Sequence, residues 1–166
     1  MATQDFSQYL PEKVPSAEGM KIGIVVSEWN DEITFALRDG AVETLLRHGI
    51  AKEDIVLRYV PGSFELTAGA QFMAGYTAVD AVICLGCVIR GETPHFDYIC
   101  QGVAFGLTQV TVNFEIPVIF GVLTTLNEEQ ARERSGGRWG NKGVEAAVTA
   151  IKMTALKRHF QQCEKS

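Results

Sequence analysis

The feature that most constrains this chain is a regular alternation of short β-branched runs with longer segments of helical periodicity. Four runs have the character of strands, at residues 21–26, 54–60, 78–89 and 117–123. Helices are expected between and after them, at residues 31–48, 63–73, 93–113, 127–134 and 141–160. In the first of these helices apolar residues recur four positions apart, as Ile33, Leu37 and Ala41 do. The alternation predicts an α/β domain with a doubly wound parallel sheet of four core strands, in three α/β/α layers.

The size and charge of the chain narrow its function. A chain of 166 residues amounts to about one domain. Its first twenty residues are polar and contain Pro11 and Pro15, so we expect an extended N-terminal arm, residues 1–20, followed by a single domain, residues 21–166. Fifteen Lys and Arg residues against 20 Asp and Glu residues give a net charge of −5, whereas nucleic-acid binding requires a basic face. Nucleic acid is therefore not an expected partner.

Membrane insertion and secretion are not expected either. No apolar run reaches the ~18 residues that span a bilayer, and residues 1–20 lack the basic start and apolar centre of a secretory signal. We therefore expect a cytoplasmic protein with reduced cysteines. Cys84 and Cys87 lie in one apolar strand, where side chains three positions apart point to opposite faces of the sheet and cannot hold one ion. No metal site is predicted.

Polar and aromatic residues collect where the predicted strands end. Ligands of doubly wound sheets bind beyond the carboxyl ends of the strands. Here those ends supply aromatic rings, a carboxylate, a histidine and helix N-termini, at residues 27–30, 61–65, 90–95 and 120–125. His95 stands in the first turn of a helix that Thr93 is expected to cap and Pro94 to open. A histidine can carry protons and a helix N-terminus can hold an anion, but a solvated histidine at a helix end explains the position equally well.

Three further features allow both a functional and an ordinary structural explanation. Trp29 is either a platform for a flat ring or a partly buried aromatic residue. Glu65 either binds hydroxyl groups or is a first-turn carboxylate favoured by the helix dipole. Residues 133–143 place Arg134 and Lys142 among glycines before a helix, which suits a phosphate. The segment lacks the Walker pattern, however, and also fits a solvated turn between two helices.

Five segments, in order along the chain, make the sequence resemble the lumazine synthase family. They are Pro-Gly-Ser-Phe-Glu at 61–65, Gly-Cys-Val-Ile-Arg-Gly-Glu-Thr-Pro-His-Phe-Asp at 86–97, Pro-Val-Ile-Phe-Gly-Val-Leu-Thr at 117–124, Glu-Arg-Ser-Gly at 133–136 and Gly-Asn-Lys-Gly at 140–143. The resemblance extends over roughly residues 20–156. It implies a flavodoxin-like fold and a transferase of riboflavin biosynthesis that needs no metal or redox cofactor. This enzyme makes 6,7-dimethyl-8-ribityllumazine from 5-amino-6-(D-ribitylamino)uracil and 3,4-dihydroxy-2-butanone 4-phosphate, the penultimate step of the pathway.

The resemblance also implies roles for individual residues. The side-chain and backbone groups expected to hold the pyrimidine and its ribityl chain are those of Trp29, Ser63, Phe64, Glu65, Cys87, Val88, Ile89 and Phe120. The groups expected to bind the phosphate are those of Glu92, Thr93 and Arg134, and His95 is expected to move protons. Auxiliary candidates are Asn30, Arg90 and Lys142.

The resemblance finally implies self-association. In the family the pocket lies between subunits, so Phe120 and Arg134 are expected to reach the site from a neighbour. A homopentamer is expected, in some members assembled into an icosahedral capsid, with an N-terminal strand lent to the neighbouring subunit and riboflavin synthase as a further partner.

Two alternatives use the same fold. One is a flavin-binding module, which requires a Ser/Thr-rich phosphate loop where residues 27–30 stand, and the other is a shell-forming structural protein.

Overall fold

A computed structural model describes residues 5–163, so residues 1–4 of the expected arm and residues 164–166 of the expected domain lie outside the described residues. The strands in this part of the chain are β1 (Ile22–Ser27), β2 (Ile55–Val60), β3 (Ala81–Ile89), β4 (Val118–Thr125), β5 (Ser135–Gly137) and β6 (Gly140–Asn141). The helices are α1 (Asp31–Arg47), α2 (Leu66–Tyr76), α3 (His95–Phe114), α4 (Glu128–Arg132) and α5 (Lys142–Cys163). Among the described residues, no helix is long and apolar enough to cross a membrane.

The first four strands form one parallel sheet in the order β2-β1-β3-β4. The central strands β1 and β3 are buried almost without interruption, because helices cover both of their faces. On one face Ile24 packs in a core with Leu37 of α1 and with residues of α5. On the other face Val25 packs with Leu66 of α2 and with residues of α3. The predicted three-layer α/β/α fold is confirmed, and all four carboxyl ends of the sheet lie along one edge.

Two predicted helix starts are wrong by two or three residues. Residues 63–65 form a separate 3₁₀ turn, so α2 begins only at Leu66. The N-cap residue of α3 is Pro94 and not Thr93, because the Pro94 carbonyl is the one that accepts the first helical N–H groups. Both differences fall at the carboxyl edge of the sheet, where they shape the loops that follow β2 and β3.

The segment before β1 is only partly an arm. Val14, Ala17 and Met20 are buried in the core that α1 and α5 share, although residues 1–20 are expected from the sequence to lie outside the domain. The three residues are apolar and three positions apart, and the Ala17 N–H donates to the His48 carbonyl at 3.0 Å. The described part of the segment contains no strand. A strand lent to a neighbour therefore stays a prediction, but Val14, around which that strand is expected, is buried in the core of its own chain.

Candidate active site

A cleft of about 270 Å³ opens at the carboxyl edge of the sheet, between the ends of β1 and β3, the turn after β2 and the start of α3. The residues that line it are Trp29, Asn30, Ser63, Phe64, Cys87, Val88, Ile89, His95 and Ile99. All of these except Ile99 are site residues expected from the sequence. Ile99 lies one helical turn after His95, and this four-residue spacing is the signal that could have identified it.

Trp29 forms an aromatic wall of the cleft. Its backbone N–H donates to the Pro61 carbonyl at 3.0 Å, which ties the end of β1 to the end of β2. The indole lies over Gly62, because a Cβ atom at that position would be 2.6 Å from the indole Cε3. The residue is 66% exposed. Trp29 is thus exposed and not a partly buried aromatic residue, so its indole is free to stack on a flat ring.

The 3₁₀ turn after β2 uses several of its polar groups internally. The Glu65 carboxylate accepts the Gly62 N–H at 3.1 Å, as a structural first-turn carboxylate does. The Ser63 hydroxyl donates to the Cys87 carbonyl at 3.4 Å. The turn can approach β3 this closely because Gly86 has no side chain, since a Cβ there would be 2.7 Å from the Ser63 Oγ.

Cys87 contributes to the cleft through its backbone. Burial, with a smaller contribution from the charge of Glu128, raises the pKa of the Cys87 thiol to about 12, so the thiol stays protonated and unreactive. The Cys87 side chain packs in the α1–α5 core and that of Cys84 in the α2–α3 core, on opposite faces as their spacing predicts. The Cys87 carbonyl accepts the carboxamide of Asn30 at 3.1 Å as well as the Ser63 hydroxyl.

His95 is exposed at the first position of α3, directly after a loop in which Glu92 and Thr93 are also exposed. No side chain caps this end of α3, so its first N–H groups stay available to an anion. The Arg90 guanidinium bonds the Asp97 carboxylate at 2.6 Å and so joins the two ends of the loop. An anion at this loop would meet the helix end beside the imidazole.

Phe120 and Arg134 do not line the cleft of their own chain. Phe120 lies on β4, an outer strand of the sheet, and is 39% exposed between two grooves of about 350 and 240 Å³. Arg134 follows α4, and its guanidinium donates to the Gln130 carbonyl at 3.1 Å. Within one chain, therefore, Phe120 and Arg134 lie away from the cleft.

The glycine-rich segment 133–143 forms the antiparallel β5–β6 hairpin, which the sequence did not predict. The N–H groups of Trp139, Lys142 and Gly143 are bonded within the segment, and two of its glycines have positive φ angles. The Lys142 ammonium pairs with the Glu145 carboxylate at 2.8 Å. These backbone N–H groups are therefore already used within the segment, so a phosphate would have to be bound by its side chains.

The fold and the cleft together define a class of protein. An aromatic platform, a helix N-terminus and an exposed histidine surround one concave site at the carboxyl edge of a doubly wound sheet. Such a site suits a flat polar ring, an anion and the transfer of protons between them. The fold and the cleft are thus those expected of an α/β enzyme that holds two reactants side by side.

Comparison with known proteins identifies the family. The family model of 6,7-dimethyl-8-ribityllumazine synthase matches residues 19–158, and the chain belongs to that family. It is 55% identical to the 6,7-dimethyl-8-ribityllumazine synthase of Porphyromonas gingivalis, over 95% of this chain and 98% of that protein. It is 58% identical to the protein of the same name from Cytophaga hutchinsonii, over 93% and 96% of the two chains. A third relative of this name, from Parabacteroides distasonis, is 57% identical over 92% and 95%.

Proposed function

We propose that this chain condenses 5-amino-6-(D-ribitylamino)uracil with 3,4-dihydroxy-2-butanone 4-phosphate to 6,7-dimethyl-8-ribityllumazine, with release of phosphate and water, in riboflavin biosynthesis. The observation that carries the proposal is the cleft in which Trp29, Phe64 and His95 meet. It lies in a chain that matches the family model over residues 19–158. Neither a flavin-binding module nor a purely structural protein is favoured by a comparable observation.

The pyrimidine binds in the part of the cleft between Trp29 and the end of β3. Its flat ring stacks on the exposed indole, an arrangement in which offset rings attract each other. The backbone of residues 87–89 borders the ring, and the turn at residues 63–65 lies beside the ribityl chain. In this arrangement the Glu65 carboxylate shapes the turn through its bond with the Gly62 N–H, so its contribution to the ribityl chain comes from its other oxygen.

The phosphate binds at the uncapped start of α3. The first N–H groups of the helix and the Thr93 hydroxyl are the donors that this chain offers there. Glu92 is exposed, so its carboxylate stays in solvent while its backbone frames the phosphate. A guanidinium is needed to complete the subsite with a bidentate pair of hydrogen bonds, and Arg134 of a neighbouring subunit supplies it.

The reaction consists of condensations and proton transfers between two held reactants. The 5-amino group attacks the ketone of the butanone phosphate, and loss of water gives an imine. Removal of a proton beside the imine expels phosphate, and the resulting enol tautomerises to a carbonyl compound. The ribitylamino nitrogen closes the second ring on that carbonyl with loss of another water. His95 carries the protons, which contributes about 10²–10⁴-fold, and the positioning of the two reactants supplies the rest.

A second subunit completes the pocket in this proposal. Phe120 on the open edge of β4 and Arg134 after α4 lie outside their own cleft, where residues that serve a neighbour in a closed ring have to lie. Phe6 and Leu10 are exposed apolar residues ahead of the buried part of the N-terminal segment. They can join a neighbour at the open edge of β2, whose N–H and C=O groups accept an added strand.

The higher levels of association follow the family. The ring is a homopentamer, pentamers can assemble further into an icosahedral capsid, and riboflavin synthase is a partner of the assembly. We propose a cytoplasmic location, where the cysteines stay reduced. Sedimentation of the purified chain measures the size of the assembly directly.

One assay tests the function and the shared site separately. The purified chain is mixed with both substrates, and the absorbance and fluorescence of lumazine should appear together with an equal amount of phosphate. Sedimentation and activity are then measured on the same dilution series, in which activity should fall as the ring dissociates. An assembled protein that forms no lumazine contradicts the function. An active monomer contradicts only the shared site.

A further inference from the structure

Asn30 occupies the N-cap position of α1, but its side chain does not cap that helix. An asparagine at this position ordinarily accepts an N–H of the first turn through its Oδ1. Asn127 at the start of α4 shows this arrangement, with its Oδ1 accepting the Gln130 N–H at 2.9 Å. The Asn30 carboxamide instead donates through Nδ2 to the Cys87 carbonyl at 3.1 Å, from the end of β1 to the end of β3.

The backbone of Asn30 allows this different use of the side chain. Its φ and ψ angles of 59° and 46° lie in the left-handed region, which asparagine adopts more readily than most other non-glycine residues. Its carbonyl still begins the helix and accepts the N–H groups of Ile33 and Thr34 at 2.9 and 3.0 Å. The residue therefore starts α1 with its backbone and reaches β3 with its side chain.

The turn that carries the Trp29 indole is consequently tied to both neighbouring strands. On one side the Trp29 N–H bonds the Pro61 carbonyl at the end of β2. On the other side Asn30 bonds the Cys87 carbonyl at the end of β3. The same carbonyl accepts the Ser63 hydroxyl, so one acceptor holds both loops that border the cleft.

We infer that Asn30 is a positioning residue. Its hydrogen bond sets the distance between the Trp29 indole and the end of β3. That distance is the width of the slot for the pyrimidine. The inference rests on the proposed function, because that function puts the pyrimidine in this slot. Asn30 acts through Trp29 and the Cys87 carbonyl. Loss of its hydrogen bond should weaken binding of the pyrimidine and leave binding of the butanone phosphate at α3 unchanged.

Two substitutions separate the hydrogen bond from the backbone conformation. Asn30→Asp keeps the size of the side chain and tolerates the left-handed backbone, but its carboxylate cannot donate to a carbonyl. Asn30→Gly removes the side chain and adopts the same φ without strain. Asn127→Asp is the matched control, because an aspartate caps a helix as well as an asparagine does. All variants carry Trp139→Phe, which leaves Trp29 as the only tryptophan of the chain.

Steady-state kinetics and the time-resolved fluorescence anisotropy of Trp29 are measured for each full-length variant. Both Asn30 variants should raise KM for the pyrimidine by about 3- to 10-fold, the range that one neutral hydrogen bond accounts for. KM for the butanone phosphate and kcat should stay unchanged. Without any substrate, the indole should gain nanosecond motion, because its turn has lost one of two anchors. The Asn127→Asp control should behave as its parent does.

Three results would overturn the inference. An unchanged pyrimidine KM means that the bond to Cys87 does not set the slot, and an equal rise of both KM values means a general loosening of the site. A raised pyrimidine KM with unchanged Trp29 anisotropy makes Asn30 a direct ligand. If the wild-type chain forms no lumazine while the Asn30 variants of the Trp139→Phe parent still mobilise Trp29, the positioning role holds and the proposed function fails.

Discussion

The contact between Trp29 and Gly62 makes the most quantitative prediction. An alanine Cβ at position 62 would lie 2.6 Å from the indole Cε3, whereas carbon atoms in contact are ordinarily about 3.5–4.0 Å apart. The indole therefore has to move by roughly 1 Å. The φ angle of Gly62 is −131°, which alanine also adopts, so the substitution acts on the ring and not on the backbone.

Gly62→Ala should lower kcat/KM for the pyrimidine by about 10- to 100-fold, since misplacing a reactant by about 1 Å can cost this much. KM for the butanone phosphate should not change, because that substrate binds at α3. The exposed indole can swing aside, so the free energy of unfolding should change by less than about 1 kcal/mol. Steady-state kinetics and urea unfolding measure the two effects. Gly91→Ala is the matched control, because nothing lies within 4 Å of a Cβ built there.

A double-mutant cycle with Trp29→Ala decides whether the effect passes through the indole. In the absence of the indole, Gly62→Ala should have almost no further effect on kcat/KM. The coupling free energy should then be about 1.4–2.8 kcal/mol, which corresponds to the 10- to 100-fold change. Equal effects of Gly62→Ala with and without Trp29 would refute the reasoning.

The remaining predictions concern other groups of the site and the core. His95→Ala should keep the fold and assembly but lower kcat by roughly 10–10³-fold at saturating substrates between pH 6 and 8, the lower part of the acid–base range because the imine chemistry has some intrinsic rate. An unchanged kcat would remove His95 from the mechanism. Arg134→Lys should raise KM for the butanone phosphate more than KM for the pyrimidine, because a point charge does not replace a bidentate guanidinium; an equal rise would contradict this. Iodoacetamide at pH 8 should label the exposed Cys163 and reach the buried Cys84 and Cys87 only after unfolding, as mass spectrometry can show. Burial raises the pKa of both buried thiols. Above about pH 9 the unfolded chain therefore releases protons that the folded chain keeps. The free energy of unfolding, measured with urea, should then fall as the pH rises further.

Much of the fold could be predicted because its strands are strongly apolar and evenly separated by helices. The buried runs of β1 and β3 leave few other arrangements for a chain of this size. The β5–β6 hairpin could not be predicted, because its residues are mostly glycine and carry no alternating pattern. The burial of Val14, Ala17 and Met20 was missed for a similar reason, since three small or medium apolar residues among polar ones do not signal a core.

The candidate site was predictable where it depends on the ends of strands. Trp29 and His95 follow β1 and β3 directly, so a parallel sheet brings them to the same edge. The separation of Phe120 from that cleft was expected only through the family resemblance, because it depends on β4 being an outer strand, which the residues alone do not show. The hydrogen bond from Asn30 to Cys87 could not be predicted from the sequence either, since an asparagine before a helix predicts an ordinary N-cap.

The most direct test of the account is whether two impaired variants restore each other when the butanone phosphate is kept well below its KM. In the proposed ring, His95 of one subunit and Arg134 of the next belong to one site. When His95→Ala and Arg134→Ala chains are co-expressed in equal amounts, about a quarter of the sites contain both native residues. The account predicts that the mixed assembly forms lumazine at about a quarter of the wild-type rate, well above either variant alone. A mixture no more active than the two separate assemblies would contradict a site built from two subunits.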